Sequence, residues 1–476
     1  MNSKKIHLKS FGCQMNKLDS SLLAAALTEN GWELTDSPVE ADAIVINTCS
    51  VREHAEQRVF SHLGHLQHIK KSRPQLLVAV IGCMAQRLGP QLLEHPVVNI
   101  TAGPEQIHHV PQLLEQAIQE HKKILAVTEK IRRPADSPEI HTINERLDEF
   151  ELAYDSDENH LKSQAFIRAM RGCNNFCSFC IVPYVRGPEV SRSPQVILQQ
   201  AQKLADQGIQ QITLLGQTIN AYRYTENGRT YTLADLLELV SRIDSIRWIR
   251  FITSHPAKMD DSVFEAMARL PKVCPYLHIP AQSGSDRILA AMNRGYTAQQ
   301  YIDLIERAKS IVPNLAVTGD FIVGFPGETE EDFQATVDLV QKVRYKNCFI
   351  FKYSPRPGTQ AEKRLADTIP ADIKQQRNIH LLEVVNRIAD EDNRRFAGQT
   401  LEVLVEGPSK KPHLNQAGET SGPQLIGRTA HDYIVVFNGP PDLAGRFVKV
   451  RITKTSALTL FGEWVNPSKD PGNFGS

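Results

Sequence analysis

Apolar residues in this chain fall into short blocks separated by longer amphipathic stretches, and the pattern changes character towards the C-terminus. Brief apolar runs at 6–9, 43–47 and 76–82 alternate with helically spaced stretches at 22–31, 52–72 and 111–120. Unbroken apolar runs suit strands buried on both faces, and the intervening spacing suits helices. Residues 4–121 are therefore predicted to form a doubly wound parallel α/β domain. Residues 122–158 lack such a period and predict a linker; within it, 145–158 hold seven carboxylates and one arginine, the composition of a solvated connector. From 159 to 392 the alternation returns. Strands are predicted at 165–170, 211–216, 248–253, 276–280, 316–324 and 348–354, with helices between them such as 194–207, 233–243 and 330–343. Six β/α units make an open, partial (β/α)6 barrel whose working end is the C-terminal end of its strands. A long polar helix at 370–395 leads into a tail, 395–468. There β-branched strands at 400–407, 433–439 and 446–455 sit among Gly/Pro turns, which predicts a small all-β barrel of five-stranded, OB-like type.

Composition narrows the class. A chain of 476 residues fits roughly three ordinary domains, and 41% hydrophobic with 23% charged residues is a globular balance. Lys plus Arg and Asp plus Glu both number 54, so any nucleic-acid surface is local rather than global. The tail carries eight basic and six acidic residues over 395–465. That charge does not separate an oligonucleotide-binding barrel from a packing module. No apolar run approaches the ~20 residues of a membrane span, and the first residues lack the apolar core of a signal peptide. With eight cysteines, the expectation is a reducing, cytoplasmic setting in which thiolates bind metal rather than pair as disulfides.

Cys173, Cys177 and Cys180 form a CxxxCxxC loop directly after the first predicted barrel strand. Three thiolates on one loop can hold three irons of a cubane cluster and leave the fourth open to chemistry. The residues alone also allow a zinc loop or three buried thiols, although structural zinc prefers four protein ligands. A second set, Cys13, Cys49 and Cys83, is spaced 36 and 34 residues apart, each cysteine shortly after a predicted strand. Strand ends of a parallel sheet gather at one edge, so these thiols are expected to meet, with Gly12 and Gly82 freeing the backbone beside two of them. The alternative is three separate buried thiols. Cys274 and Cys348 have no partners in spacing and read as core residues.

Many motifs in order carry a resemblance across nearly the whole chain: GCQMN (12–16), NTCSVRE (47–53), GCMAQR (82–87), RGCNNFCSFCIVPYVRG (171–187), LGQTINAY (215–222), SHP (254–256), LHIPAQSGS (277–285), DFIVGFPGE (320–328) and YSPRPGT (353–359). They resemble the radical S-adenosylmethionine (SAM) methylthiotransferases, and within them the MiaB branch, whose tail is a TRAM module. The resemblance implies that Cys173, Cys177 and Cys180 hold a [4Fe–4S] cluster that binds and cleaves SAM, and that Cys13, Cys49 and Cys83 hold an auxiliary [4Fe–4S] cluster carrying the sulfur. It implies methylthiolation of C-2 of N(6)-isopentenyladenosine at position 37 of the tRNA anticodon loop. One SAM then serves as methyl donor and a second as radical source. Chemistry is left to clusters and SAM, with Gly216, Gln217, Gln282 and Ser283 beside the cofactor and 324–328 at a further strand end. Implied partners are tRNA, an electron donor such as flavodoxin or ferredoxin, and a sulfur donor, with no membrane and a monomeric chain. Arg186 and Arg192 suit either a ligand phosphate or carboxylate or an internal ion pair. Departures from the branch fall at Pro188, Thr218, Ala281 and the 431–433 stretch. Rival readings are the branches acting on threonylcarbamoyl-adenosine or on a ribosomal-protein aspartate, and a non-catalytic RNA-binding scaffold.

Overall fold

The computed structural model describes residues 4–50, 53–129, 131–154, 163–409 and 422–466, without the side chains of 53–55. Val51 and Arg52 of the NTCSVRE motif, residues 155–158 of the expected linker, 159–162 of the expected barrel domain and 467–468 of the tail lie outside the described residues.

In the N-terminal domain, strands Lys4–Phe11, Trp32–Leu34, Ala43–Thr48, Leu77–Gly82, Ile100–Ala102 and Ile124–Ala126 pair in the order second, first, third, fourth, fifth, sixth. All pairs are parallel. Every residue of Ala43–Thr48 and Leu77–Gly82 is buried, as unbroken apolar runs require. The strand order reverses between the first and third strands, and such a switch point opens a crevice at the carboxyl ends. Phe11 is in register with Thr48, and Thr48 with Gly82. The chain therefore leaves three neighbouring strands side by side, with Cys49 and Cys83 as the next residues out and Cys13 one residue further, after Gly12.

The structure corrects the expected solvated linker in part: Glu145 and Glu149 are exposed as expected, but the segment is not a plain connector. Ile124–Ala126 is the sixth strand of the sheet, so the domain runs past 121. Pro138–Ala153 is a helix, capped by the Ser137 hydroxyl, that buries Ile140, Leu147, Phe150 and Glu151. Two of the carboxylates counted as solvent-facing, Asp148 and Glu151, lie one turn apart and meet three arginines of the barrel: Arg168, Arg171 and Arg192. A local charge count misreads the segment because its counter-charges come from other elements.

The central domain has six parallel strands in two three-stranded sheets: Gln164–Arg168, Gln211–Leu215 and Trp248–Ile252, then Tyr276–His278, Ala316–Val323 and Asn347–Lys352. The barrel is open, as six β/α units predict. Two of its C-terminal strand ends meet the N-terminal domain: Leu215 and Ile252 pack into that domain's hydrophobic core, joined by Phe166 from the middle of the first strand. The tail is a closed five-stranded barrel. It docks at the opposite end, where Trp248 stacks edge-on against Phe447 at 4.7 Å, Lys346 pairs with Asp432 at 3.2 Å, and Arg250 donates to the Thr429 carbonyl at 2.7 Å. Helix Ala371–Asn393 joins the two ends; Lys374 bonds the Tyr353 carbonyl beyond the last strand, and Asn393 bonds the Ser456 carbonyl in the tail. Asp432, in the atypical 431–433 stretch, is thus a half-buried ionic hub between domains. Among the described residues no helix is long and apolar enough to cross a membrane.

Candidate functional site

Two groups of three thiols lie at the junction of the N-terminal domain and the barrel; Cys49, Cys83, Cys173 and Cys177 are buried, and Cys13 and Cys180 are half-buried. In the first, Cys13 caps helix Gln14–Glu29 and Cys83 opens helix Cys83–Glu94. Both thiols stand at helix N-termini, where the backbone N–H groups favour a thiolate. Gly82 holds φ +92°, and a Cβ there would lie 2.5 Å from the Thr48 carbonyl oxygen; only glycine allows this turn. At Gly12 a Cβ would collide with the Asn16 side chain. Asn16 is itself tied to Asn47 and to the Thr48 carbonyl, so the loops bearing Cys13 and Cys49 are laced together. A hydrogen bond with Cys49 pulls the Cys13 thiol down to about 5, against its burial and with help from Arg186. Burial pushes the Cys83 thiol up, and Arg186 opposes that rise.

The second group sits on the loop after the first barrel strand. A two-stranded ribbon, Met170–Arg171 with Val190–Ser191, closes the base of that loop. Gly172, at φ +66°, leaves no room for a Cβ against the Pro188 carbonyl, so the chain makes its tight approach there. The Thr218 hydroxyl lies 3.4 Å from Cys173 Sγ and accepts from Asn175 Nδ2 at 2.7 Å. Arg294 Nη1 lies 3.2 Å from Cys177 Sγ and is held by the Pro280 carbonyl and Tyr296. Burial raises the Cys173 and Cys180 thiols. Among the described residues no three thiols, imidazoles or carboxylates close around a single metal ion. A cubane spreads its ligands over separate corners, so two sets of three thiols, each beside one guanidinium, suit an anionic cluster better than a lone zinc.

One short segment connects the groups. After Cys180, helix Val182–Val185 packs Ile181 and Val185 against Cys83, and Arg186 at its end places Nε 3.1 Å from Cys83 Sγ. Six residues with four in a helix hold the groups on the order of 10–20 Å apart. Arg132, arriving from the N-terminal side, stacks over Phe176 and Tyr184 at 4.2 and 5.6 Å.

The other expected residues divide. Gly216 packs so closely that a Cβ would meet Met170 Cγ at 2.6 Å, and Gln217 beside it is half-buried. Gln282 sits at φ +72° with its Oε1 buried and unpartnered. Thr253, the residue just after strand Trp248–Ile252, shares the φ of +72°, a costly conformation for a β-branched residue and typical of functional sites. The Ser283 hydroxyl accepts from the Ser285 N–H and meets Thr336. In 324–328, Glu328 accepts from the Gly324 N–H and pairs with Arg377 at 2.7 Å. Arg192, with no side-chain exposure, is spent on Asp148 and Glu151. Cys274 and Cys348 are buried core thiols; burial lifts Cys274 to about 11. Sequence reasoning missed Arg294 and His255. His255 is 7% exposed, has no partner on either ring nitrogen, and is pushed down to about 3 by burial, then by Arg294 and Lys258. Only the SHP motif pointed to it.

Comparison with known proteins agrees in layout. Sequence models match over residues 5–103 for a group described as "Uncharacterized protein family UPF0004", 167–340 for the radical SAM superfamily, and 394–465 for the TRAM domain. Curated proteins named tRNA-2-methylthio-N(6)-dimethylallyladenosine synthase are similar over nearly the full length. The one from Rhodopirellula baltica is 42% identical over 97% of this chain and 95% of its own. The one from Porphyromonas gingivalis strain W83 is 40% identical over 97% and 95%, and that from Haemophilus influenzae strain PittEE is 40% identical over 99% and 94%. Among solved structures, the radical SAM methyltransferase TsrM from Kitasatospora setae, with cobalamin and a [4Fe–4S] cluster bound, has a similar fold. Its TM-score is 0.52 at 16% identity, covering 76% of this chain and 77% of that one.

Proposed function

The chain belongs to the family of tRNA-2-methylthio-N(6)-dimethylallyladenosine synthases, radical SAM methylthiotransferases, and from that premise we propose which of its residues carry the reaction. It is a tRNA-modifying enzyme that uses SAM and an iron–sulfur cluster. The substrate is N(6)-isopentenyladenosine at position 37 of the anticodon loop, and the product carries a methylthio group on C-2.

Cys173, Cys177 and Cys180 hold one [4Fe–4S] cluster, and Cys13, Cys49 and Cys83 hold a second. When bound, the clusters and SAM supply the hydrogen abstraction from C-2, the methyl group and the sulfur. The chain's own residues position and shield. Gly216, Gln217 and Gln282 line the SAM side at the C-terminal strand ends, with Ser283 bracing the Gln282 loop. An unactivated C–H needs its target atom close to the radical carbon and water kept out. The N-terminal domain, packed over those strand ends, meets both needs. The anticodon loop is single-stranded, so its base can be splayed into such a pocket. The tail barrel, docked at the other end of strands only ~17 Å long, grips the stem along the flank. A low-potential donor such as flavodoxin or ferredoxin and a separate sulfur donor complete the turnover.

The observation that carries this reading is the pairing of two largely buried thiol triplets through the Ile181-to-Arg186 segment. The test uses anaerobically reconstituted protein with SAM, reductant, sulfide and isopentenylated tRNA, followed by nucleoside mass spectrometry. A methylthio group on isopentenyladenosine is the expected result. Release of 5′-deoxyadenosine with unchanged tRNA would move the substrate to a rival branch.

A further inference from the structure

Arg186 belongs to the barrel domain by sequence and to the N-terminal domain by contact. Its Nε lies 3.1 Å from Cys83 Sγ, and its Nη2 lies 3.2 Å from Asp19 Oδ2. The side chain is 7% exposed. Asp19 is on the first helix of the N-terminal domain, and its other carboxylate oxygen pairs with Arg168 on the first barrel strand. Arg168 in turn pairs with Glu151 at 3.3 Å. The guanidinium is thus clamped from one side by a carboxylate that is itself clamped, and its Nε–H is aimed at sulfur. A planar fork delivers both bonds at once; a lysine ammonium lacks that geometry.

The two triplets are not alike in this respect. Arg294, beside Cys177, is held by the Pro280 carbonyl and the Tyr296 hydroxyl of its own barrel. Arg186 reaches its sulfur only when the N-terminal domain and the barrel are packed together. Hydrogen bonds to cluster sulfurs are among the determinants of reduction potential. A cationic donor withdraws charge from the sulfur and favours the more negative, reduced state. Burial strengthens the effect.

Resting on the two-cluster reading above, we propose that Arg186 is a positioning residue for the cluster held by Cys13, Cys49 and Cys83. Its N–H···S bond to Cys83 raises that cluster's reduction potential and makes the potential depend on closure of the domain seam.

The test isolates the cluster. In full-length C173A/C177A/C180A only the N-terminal triplet remains, and the midpoint potential is read by EPR during stepwise anaerobic reduction. Arg186→Gln in this background is expected to keep its iron and shift the midpoint to a more negative value. Arg186→Lys keeps the charge but loses the fork, and is expected to shift part of the way. Asp19→Asn, which loosens the clamp, is expected to shift in the same direction by less. Arg294→Gln is expected to leave this midpoint unmoved. An unchanged midpoint in iron-loaded Arg186→Gln overturns the proposal. Should Arg186→Gln not load iron, an unchanged midpoint in Arg186→Lys overturns it equally. A triple-cysteine parent that binds no iron overturns the two-cluster reading itself, and the proposal with it.

Discussion

The two thiol triplets are built in opposite ways. Cys173, Cys177 and Cys180 sit on one loop, whose base is closed by a two-stranded ribbon and whose tight approach is permitted by Gly172. Most of its geometry is local. Cys13, Cys49 and Cys83 come from three strands and meet only because the sheet sets Phe11, Thr48 and Gly82 side by side. The first is a motif; the second is a consequence of topology. The local triplet takes its cation, Arg294, from its own domain, whereas the assembled triplet borrows Arg186 across the seam. A site assembled from distant strands depends on the packing of its domain, so it should fail to different perturbations than a loop does.

The largest expected effects separate the triplets outright. Cys177→Ala abolishes both 5′-deoxyadenosine release and tRNA methylthiolation, and about half of the iron remains. Cys83→Ala also abolishes methylthiolation, yet 5′-deoxyadenosine continues to form, because only the assembled triplet is lost. Iron analysis with nucleoside and nucleotide chromatography checks both. If Cys83→Ala silences SAM cleavage as well, the triplets are not separable units.

Next is the ionic seam. Glu151 is 1% exposed and surrounded by Arg168, Arg171 and Arg192. Opposing its burial, these arginines hold its carboxyl at about 2. Glu151→Gln leaves Arg168, Arg171 and Arg192 with only Asp19 and Asp148 as partners, an uncompensated buried charge at a cost of about 3–5 kcal/mol, read as a lower denaturation midpoint. A smaller loss is expected from Gly82→Ala, where φ +92° and the Thr48 carbonyl both oppose a Cβ. Backbone strain of this kind costs about 1–3 kcal/mol. Iron should fall at the N-terminal triplet alone, leaving SAM cleavage intact.

The smallest effect is a pH slope on the barrel side. His255 stays neutral in the fold down to about 3, whereas an unfolded histidine takes a proton below about 6.5. The unfolded state therefore binds more protons between those values, and stability falls as pH drops through that window. Each unit below 6.5 removes about 1.4 kcal/mol. In cluster-free protein, His255→Phe should flatten the dependence of the urea midpoint on pH by about that slope. An unchanged slope would mean the ring is accessible to protons in the fold.

Much of this was legible in the sequence. The unbroken apolar runs at 43–47 and 76–82 became fully buried central strands, since a parallel sheet covered on both faces leaves no polar side. Six alternating units became an open barrel, and the β-branched tail became a closed one. The CxxxCxxC loop could be read directly because its spacing is itself the local geometry. What periodicity could not supply was partnership. The acidic 145–158 stretch looked wholly solvated because arginines 168, 171 and 192 stand on other elements; beside them helix Pro138–Ala153 buries Glu151 and half-buries Asp148, while Glu145 and Glu149 stay exposed. Arg192 was left between ligand contact and ion pair, and burial against Asp148 and Glu151 decided it. Arg294 and His255 carried no spacing signal, because their surroundings come from strands far apart in the chain. The sequence by itself determined most of the elements, their order and the cysteines, all of which depend on neighbours a few residues away; strand Ile124–Ala126 and helix Pro138–Ala153 came only with the structure. Tertiary structure alone decided which charges meet across the seam and which sulfur each guanidinium touches, because Coulomb and hydrogen-bond partners are chosen by distance in space rather than along the chain.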